Sequence, residues 1–299
     1  MPVDSPFVQY VTEPIDSGRE SYIYRYHSMY RPKLYFCCTE EEYNNKENNL
    51  YMGFELEFDA PNKTIGCRSN KISVIDKSNY IFSSNTYLYY MLDGSIRNGL
   101  EMISQPSTLK FYKQNKDKFE SLFAIIKNVG FEARRTCGFH IHFNRNYIMS
   151  QNGIYDDYYK DNEEKLIMIV DKFWKELVYL SNRQYPKIER WSNKFSKTPK
   201  EIVDDMSHGI FENKYHVLNF NNRQTIEFRL YSSSLEYKDF ICYLELYYNI
   251  INAAKNLTKE QIKQINFSYF LNTDELVSYY ISKTTGTNIR KYKKYLGTT

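Results

Sequence analysis

Gly53-Phe54-Glu55-Leu56-Glu57-Phe58 alternates large apolar and acidic side chains one for one. Successive side chains of a β-strand point to opposite faces, so Phe54, Leu56 and Phe58 read as a core face and Glu55 and Glu57 as the other. The same alternation recurs in Phe139-His140-Ile141-His142-Phe143 and in Ile226-Glu227-Phe228-Arg229-Leu230, while Leu100-Glu101-Met102-Ile103 sets one acid in an apolar run. A half-buried strand normally pairs an apolar face with a plain polar one. Here the polar face carries acids, histidines and an arginine, which points to a sheet cupping a metal-dependent site.

Outward from these strands, residues 50–59 form the first strand, stopped by Pro61-Asn62. Residues 72–75 and 87–92 read as further strands, Asp93-Gly94-Ser95 as a tight turn with Gly94 free to take positive φ, and 99–104 as the strand carrying Glu101. Helical spacing sets in over 110–128, where Phe111, Phe119, Leu122, Phe123 and Ile126 share a side and Gly130 supplies the stop. An amphipathic helix is expected over 162–180, a polar flap with a short helix from Lys200 over 183–209, and two strands joined at Asn221-Asn222 over 215–230. A second long helix covers 236–255, and Thr258 is placed to cap another. The stretch 39–49 reads as a solvated turn or short helix, and 22–36 as one or two strands. Without repeat, low-complexity tract or linker, the pattern predicts a single α+β domain over 1–299, with a core at 50–255 and extensions at 1–49 and 256–299.

Composition narrows the classes. Apolar residues make up 42% and charged residues 25%, ordinary for a globular chain, and 40 basic against 36 acidic residues give a net charge of only +4. Nucleic acid is therefore not the expected partner, and the basic-aromatic stretch Tyr24-Arg25-Tyr26-His27 is one of many in a chain with 30 tyrosines. No run approaches the roughly 18 apolar residues of a spanning helix, so no membrane is expected. Met1-Pro2-Val3-Asp4-Ser5-Pro6 lacks an export signal, and the five scattered cysteines show neither a disulfide ladder nor C-x-x-C, which predicts a cytosolic location. The abundance of Tyr, Lys, Asn and Ile fits an AT-rich genome such as that of a bacteriophage, in which case the location is the host cytoplasm. The basic run 290–294 reads as a solvated tail.

Each motif alone has an ordinary explanation. A lone E-x-E is usually a solvated strand face, H-x-H a pair of surface histidines, and Glu227 with Arg229 a surface ion pair worth little. Glu101, amid apolar neighbours, is as readily a structural partner as a ligand. Together they favour a metal-and-anion site: carboxylates suited to Mg²⁺ or Mn²⁺, with Arg229 suited to bidentate grip on phosphate or carboxylate. No G-x-x-x-x-G-K-S/T loop and no protein-kinase signature occurs in the sequence.

The ordered set Gly53-Phe54-Glu55-Leu56-Glu57-Phe58, Asp93-Gly94-Ser95-Ile96 followed by Glu101, Cys137-Gly138-Phe139-His140-Ile141-His142-Phe143 and Thr225-Ile226-Glu227-Phe228-Arg229-Leu230-Tyr231 resembles the amidoligase family. That family belongs to the carboxylate–amine ligase superfamily, with glutamine synthetase and glutamate–cysteine ligase, and the resemblance spans about residues 50–255. It implies a curved, largely antiparallel sheet forming a funnel, helices on its apolar face, and ATP with Mg²⁺ or Mn²⁺ inside. It also implies an acyl phosphate formed from a substrate carboxylate and ATP, then captured by an amine. Carried over by position, Glu55, Glu57, Glu101, Glu227 and His140 are metal ligands, and His140 or His142 contacts metal or nucleotide phosphate. Arg229 meets the transferred phosphoryl group, acting with Glu227 and His142, and Asp93 shapes the nucleotide site. Ser232-Ser233-Ser234-Leu235 departs from the Gly-Thr-Leu-like turn of the family. Arg134, Arg135, Arg190 and the 183–209 region are expected near the pockets for the carboxylate and amine. The rival readings are a metal-dependent hydrolase that needs no ATP, and a ligase-like binding or structural protein, for example of a phage particle.

Overall fold

The structure, a computed structural model, describes residues 8–10, 23–24, 34–45, 48–134, 136–148, 157–210 and 213–285. Residues 25–27, Arg135 and the tail 290–294 lie outside them. The chain divides into two compact units, Met1–Phe143 with Ser232–Ile241, and Asn144–Tyr231 with Cys242–Thr299. The fold class is α+β, with a largely antiparallel sheet and helices on its apolar face.

In the first unit, β1 (Val8–Tyr10), β2 (Ile23–Tyr24) and β3 (Phe36–Cys38) come first, β1 pairing antiparallel with β3. Thr39 then opens the short α1 (Glu40–Asn44) with a capping box, its hydroxyl accepting the Glu42 N–H while the Glu42 carboxylate accepts the Thr39 N–H. The chain continues through β4 (Met52–Phe58), α2 (Arg68–Phe82), β5 (Leu88–Met91), β6 (Leu100–Ser104), α3 (Leu109–Gln114), α4 (Lys116–Val129) and β7 (Gly138–Asn144). Within this unit the strands order β2-β5-β6-β4-β7, antiparallel except for β2 beside β5.

The alternation of β4 does what its period requires. Phe54, Leu56 and Phe58 are sealed on one face, and α2 and α4 cover that side with Val74, Ile75, Phe82, Phe119, Leu122 and Ile126. Phe54 is the hub: its ring lies 5.2–6.3 Å from those of Tyr112, Phe119, Phe139 and Phe240. Such ring pairs add about 0.5–1.5 kcal/mol each beyond the area they bury. Tyr90 of β5 donates its hydroxyl hydrogen to Ser78 of α2 at 2.8 Å, so the buried phenol is satisfied.

Residues 72–75 lie in α2, not in a strand. Ile72-Ser73-Val74-Ile75 alternates over too few residues to declare a period, whereas the buried positions Val74, Ile75, Ser78 and Phe82 follow helical spacing. The helix expected over 110–128 is two, α3 and α4, broken at Asn115, and it ends on Gly130 at φ 97°. That left-handed backbone is where glycine is favoured.

In the second unit the helix expected over 162–180 is also two, α5 (Asp157–Lys172) and α6 (Trp174–Leu180), interrupted at Phe173. Residues 183–209 carry two helices rather than a flap, α7 (Tyr185–Trp191) and α8 (Pro199–Ser207), the latter opened by a Thr198/Glu201 capping box. Ile188, Ile202 and Val203 bury their side chains, which fixes both helices to the unit. β8 (Leu218–Asn219) and β9 (Thr225–Ser232) form the expected hairpin, with Leu218 opposite Phe228 and Asn219 opposite Glu227. α9 (Tyr237–Asn256) stacks Tyr247 on Phe228 and Tyr243 on Tyr231 at 3.6 and 3.7 Å.

Thr258 caps α10 (Lys259–Gln264) as its sequence requires. The far end of that helix is held by Lys172, whose ammonium donates to the carbonyls of Ile262, Lys263 and Ile265. A last helix, α11 (Asp274–Thr284), was not foreseen; Leu276 and Tyr279 are its buried side. Among the described residues no helix is long and apolar enough to cross a membrane.

Candidate metal centre

Register decides which polar side chains meet. Antiparallel pairing sets Glu55 opposite His140 on β7 and Ile103 on β6, Glu57 opposite Glu101, and Gly53 opposite His142. Residues directly opposite share a face. Glu55, Glu57, Glu101, His140 and His142 therefore occupy the face of the first unit's sheet that α2 and α4 leave uncovered. Met91, opposite Glu101, and Tyr89, opposite Ile103, continue that face on β5.

Glu55 is its centre. One carboxylate oxygen lies 3.2 Å from His140 Nδ1 and the other 3.1 Å from His142 Nε2. Burial works to raise the Glu55 carboxyl, but His142 and His140 outweigh it and hold the group well below the ordinary carboxylate range. Glu55 thus stays ionised, the state a metal ligand needs.

Donor atoms of Glu55, Glu101 and His140 all lie within 4.8 Å of one another. Ligands on opposite sides of an octahedral Mg²⁺ stand about 4.2 Å apart, twice the roughly 2.1 Å bond. The group thus needs only a small contraction to close on one ion. Two carboxylates with an imidazole suit Mn²⁺ as well as Mg²⁺, since imidazole favours transition metals. Glu101 and His140 are buried, so both would bind with little water left on the protein side.

Glu57 has a further task. Its Oε2 accepts the Gly138 N–H at 2.7 Å, and its carbonyl accepts the Ser233 hydroxyl at 2.5 Å. Ser233 N–H in turn donates to the Cys137 carbonyl at 3.0 Å. The stretch Ser232-Ser233-Ser234 therefore ties the end of β4 to the start of β7, two residues before His140. Asp93 uses Oδ1 to accept the Ser95 N–H at 2.6 Å and closes its own turn, and Gly94 does not take positive φ there.

Glu227 and Arg229 share one side of β9 in the second unit. One Glu227 oxygen pairs with Arg229 Nη1, and the other accepts Asn219 Nδ2 at 2.7 Å. Arg183 Nη1 donates to the Arg229 carbonyl at 2.6 Å. Of the arginines expected near substrate pockets, Arg134 faces Glu132 at 3.4 Å and Asp59 at 4.0 Å, and Arg190 stacks over Trp191 at 4.6 Å.

Sequence reasoning passed over Asp59 and Asn219. Asp59 continues the period-two series of Glu55 and Glu57, and that signal was present; its Oδ1 accepts the N–H groups of Ala60 and Asn98 at 2.9 and 2.8 Å. Asn219 carried no signal beyond its nearness to the Asn221-Asn222 turn.

No protein-family model matches the chain, and no curated protein matches it. Among solved structures it is similar to a bifunctional glutathione synthetase from Pasteurella multocida, at 13% identity and a TM-score of 0.42, covering 85% of this chain and 49% of that one. It is also similar to Plasmodium falciparum glutamine synthetase, at 12% identity and a TM-score of 0.40, covering 71% of this chain and 54% of that one. The chain spans about half the length of these solved proteins.

Proposed function

We propose that the chain is an ATP- and divalent-metal-dependent ligase that joins a carboxylate to an amine, of the amidoligase kind. The observation that carries this reading is the convergence of Glu55, Glu101 and His140 from three adjacent strands, in a motif order resembling that family. A divalent cation bound there, Mg²⁺ or Mn²⁺, neutralises nucleotide phosphate oxygens and the charge that develops during transfer.

The chain's own residues do the rest. Glu55 remains ionised because two imidazoles face it. Glu57, through Gly138, fixes the strand that presents His140 and His142. Arg229, with its fork of N–H donors, is assigned to the oxygens of the transferred phosphoryl group. In the reaction a substrate carboxylate oxygen attacks the γ-phosphorus of ATP and ADP leaves. The amine nitrogen then attacks the acyl carbon, phosphate departs with the C–O bonding electrons, and the amine proton passes to solvent.

Melting curves with Mg·ATP, with Mg²⁺ alone and with ATP plus chelator test this. A ligand at a hundredfold over its Kd adds about 2.7 kcal/mol, which for a unit of this size is a rise of about 5–10 °C. Stabilisation that needs metal and nucleotide together is expected. A full rise with metal alone would favour the hydrolase, and no rise under any condition would overturn the nucleotide reading.

A further inference from the structure

Asn219 occupies a place in the second unit that its position beside a turn does not explain. It sits on β8 directly opposite Glu227 of β9. Its amide orientation is fixed by its own turn, because Oδ1 accepts the Asn221 N–H at 3.1 Å. The NH₂ group therefore has to face the other way, and it donates to Glu227 Oε2 at 2.7 Å. The second Glu227 oxygen takes Arg229 Nη1. The carboxylate is thus held from both ends, by an amide on one side and a guanidinium on the other.

The backbone around this bracket is equally constrained. Arg229 N–H donates to the Val217 carbonyl at 3.0 Å, and the Arg229 carbonyl accepts from Arg183. The turn between the strands is pinned by Arg145, whose N–H donates to the Gln224 carbonyl at 2.9 Å and whose Nη1 donates to the Asn222 carbonyl at 3.1 Å. Within this frame, Arg229 Nε is a buried donor with no hydrogen-bond partner among the described residues. A buried N–H is costly to leave unmade, and a guanidinium edge is shaped for an oxyanion.

On the reading of Arg229 as the anion contact, we infer that Asn219 is a positioning residue that sets the Arg229 guanidinium through Glu227 for a phosphate or carboxylate oxygen. Asn219 touches neither substrate nor metal. It fixes the plane of the Glu227 carboxylate, and that plane fixes where the remaining Arg229 donors point. Partners of this kind cost about 10–100-fold in activity when removed.

The test rests on Asn219→Asp, which keeps the oxygen that closes the turn and replaces the donor toward Glu227 with a repelling carboxylate oxygen. Asn219→Ala removes both. The first readout is the ¹H–¹⁵N signal of Arg229 Nε in the full chain, identified by its loss in Arg229→Lys; it needs no turnover and stands even if the ligase reading fails. Both Asn219 variants are expected to move this signal while melting within a few degrees of wild type. The second readout is ATP turnover, where Asn219→Asp is expected to lower kcat about 10–100-fold with KM for ATP little changed. An Arg229 signal at its wild-type position in Asn219→Asp, or wild-type kcat in that variant, overturns the inference and leaves Asn219 a turn residue. Absence of ATP turnover in wild type overturns the ligase reading, with the Arg229 signal still deciding the role of Asn219.

Discussion

Replacing Gly99 with alanine strikes the geometry that brings Glu101 into the centre. A Cβ on residue 99 would lie 1.8 Å from the Phe58 carbonyl oxygen and 2.6 Å from Asp59 Cα. Both neighbours are backbone, so no side chain can swing aside. Relieving the closer contact to about 3.0 Å, the least that real Cβ atoms tolerate, needs about 1.2 Å of separation between the ends of β4 and β6. Phe58 pairs with Leu100 and Glu57 with Glu101 at that point, so the movement falls on the register itself. The cost belongs at the upper end of the roughly 1–3 kcal/mol typical of overpacking, a melting decrease of about 6–12 °C for a unit of this size. The assay is thermal unfolding with and without Mn²⁺, and any stabilisation by the ion should shrink in the variant because Glu101 is displaced. Gly94→Ala is the control, since nothing lies within 4 Å of a Cβ there and its φ is ordinary. A Gly99→Ala protein melting within a degree of wild type would refute the reasoning.

Three further outcomes follow from named contacts. Glu55, whose carboxyl is held below its ordinary range, contributes stability above the unfolded carboxylate pKa of about 4.3, and loses it as pH falls through the lower folded value; metal-free wild type should therefore lose melting temperature in acid more steeply than Glu55→Gln, measured between pH 6 and 2. Arg145→Ala strands the buried Glu163 that Arg145 Nε meets at 2.6 Å, costing about 3–5 kcal/mol. Burial already raises the Glu163 carboxyl against the pull of Arg145, so the deficit in that variant should grow as pH rises from 4 to 7, and Glu163→Gln in the same chain should recover part of it. Lys172→Met frees the three carbonyls at the end of α10 and should cost about 1 kcal/mol, seen as earlier hydrogen exchange in residues 259–265.

The polar face of the first unit was legible because β-structure has a period of two and β4 and β7 write that period plainly. Glu55, His140 and His142 could be assigned to a face from their neighbours alone. Their pairing could not, since register depends on contacts such as Gly99 against Phe58 and Ser233 against Glu57, which join residues far apart in sequence. Helices were clear where apolar residues repeat over several turns, as in α4 and α9. They failed at α2, where the Cys67 side chain makes no capping hydrogen bond to the helix backbone and a short alternation imitates a strand. Residues 183–209 misled for the opposite reason: α7 and α8 bury so few side chains that their polarity reads as a loop. Asn219 was invisible because its role lies in the direction of one amide, fixed by a turn whose closure no residue pattern announces.

The most direct test of the proposed metal centre is Mn²⁺ binding followed by electron paramagnetic resonance in wild type, Glu55→Gln, Glu101→Gln and His140→Ala. Wild type should bind the ion, with an affinity that falls by at least about 10-fold in each variant while circular dichroism spectra remain those of the folded chain. Folded variants that bind Mn²⁺ as tightly as wild type, or a wild type that binds none, would contradict the assignment of Glu55, Glu101 and His140 as its ligands.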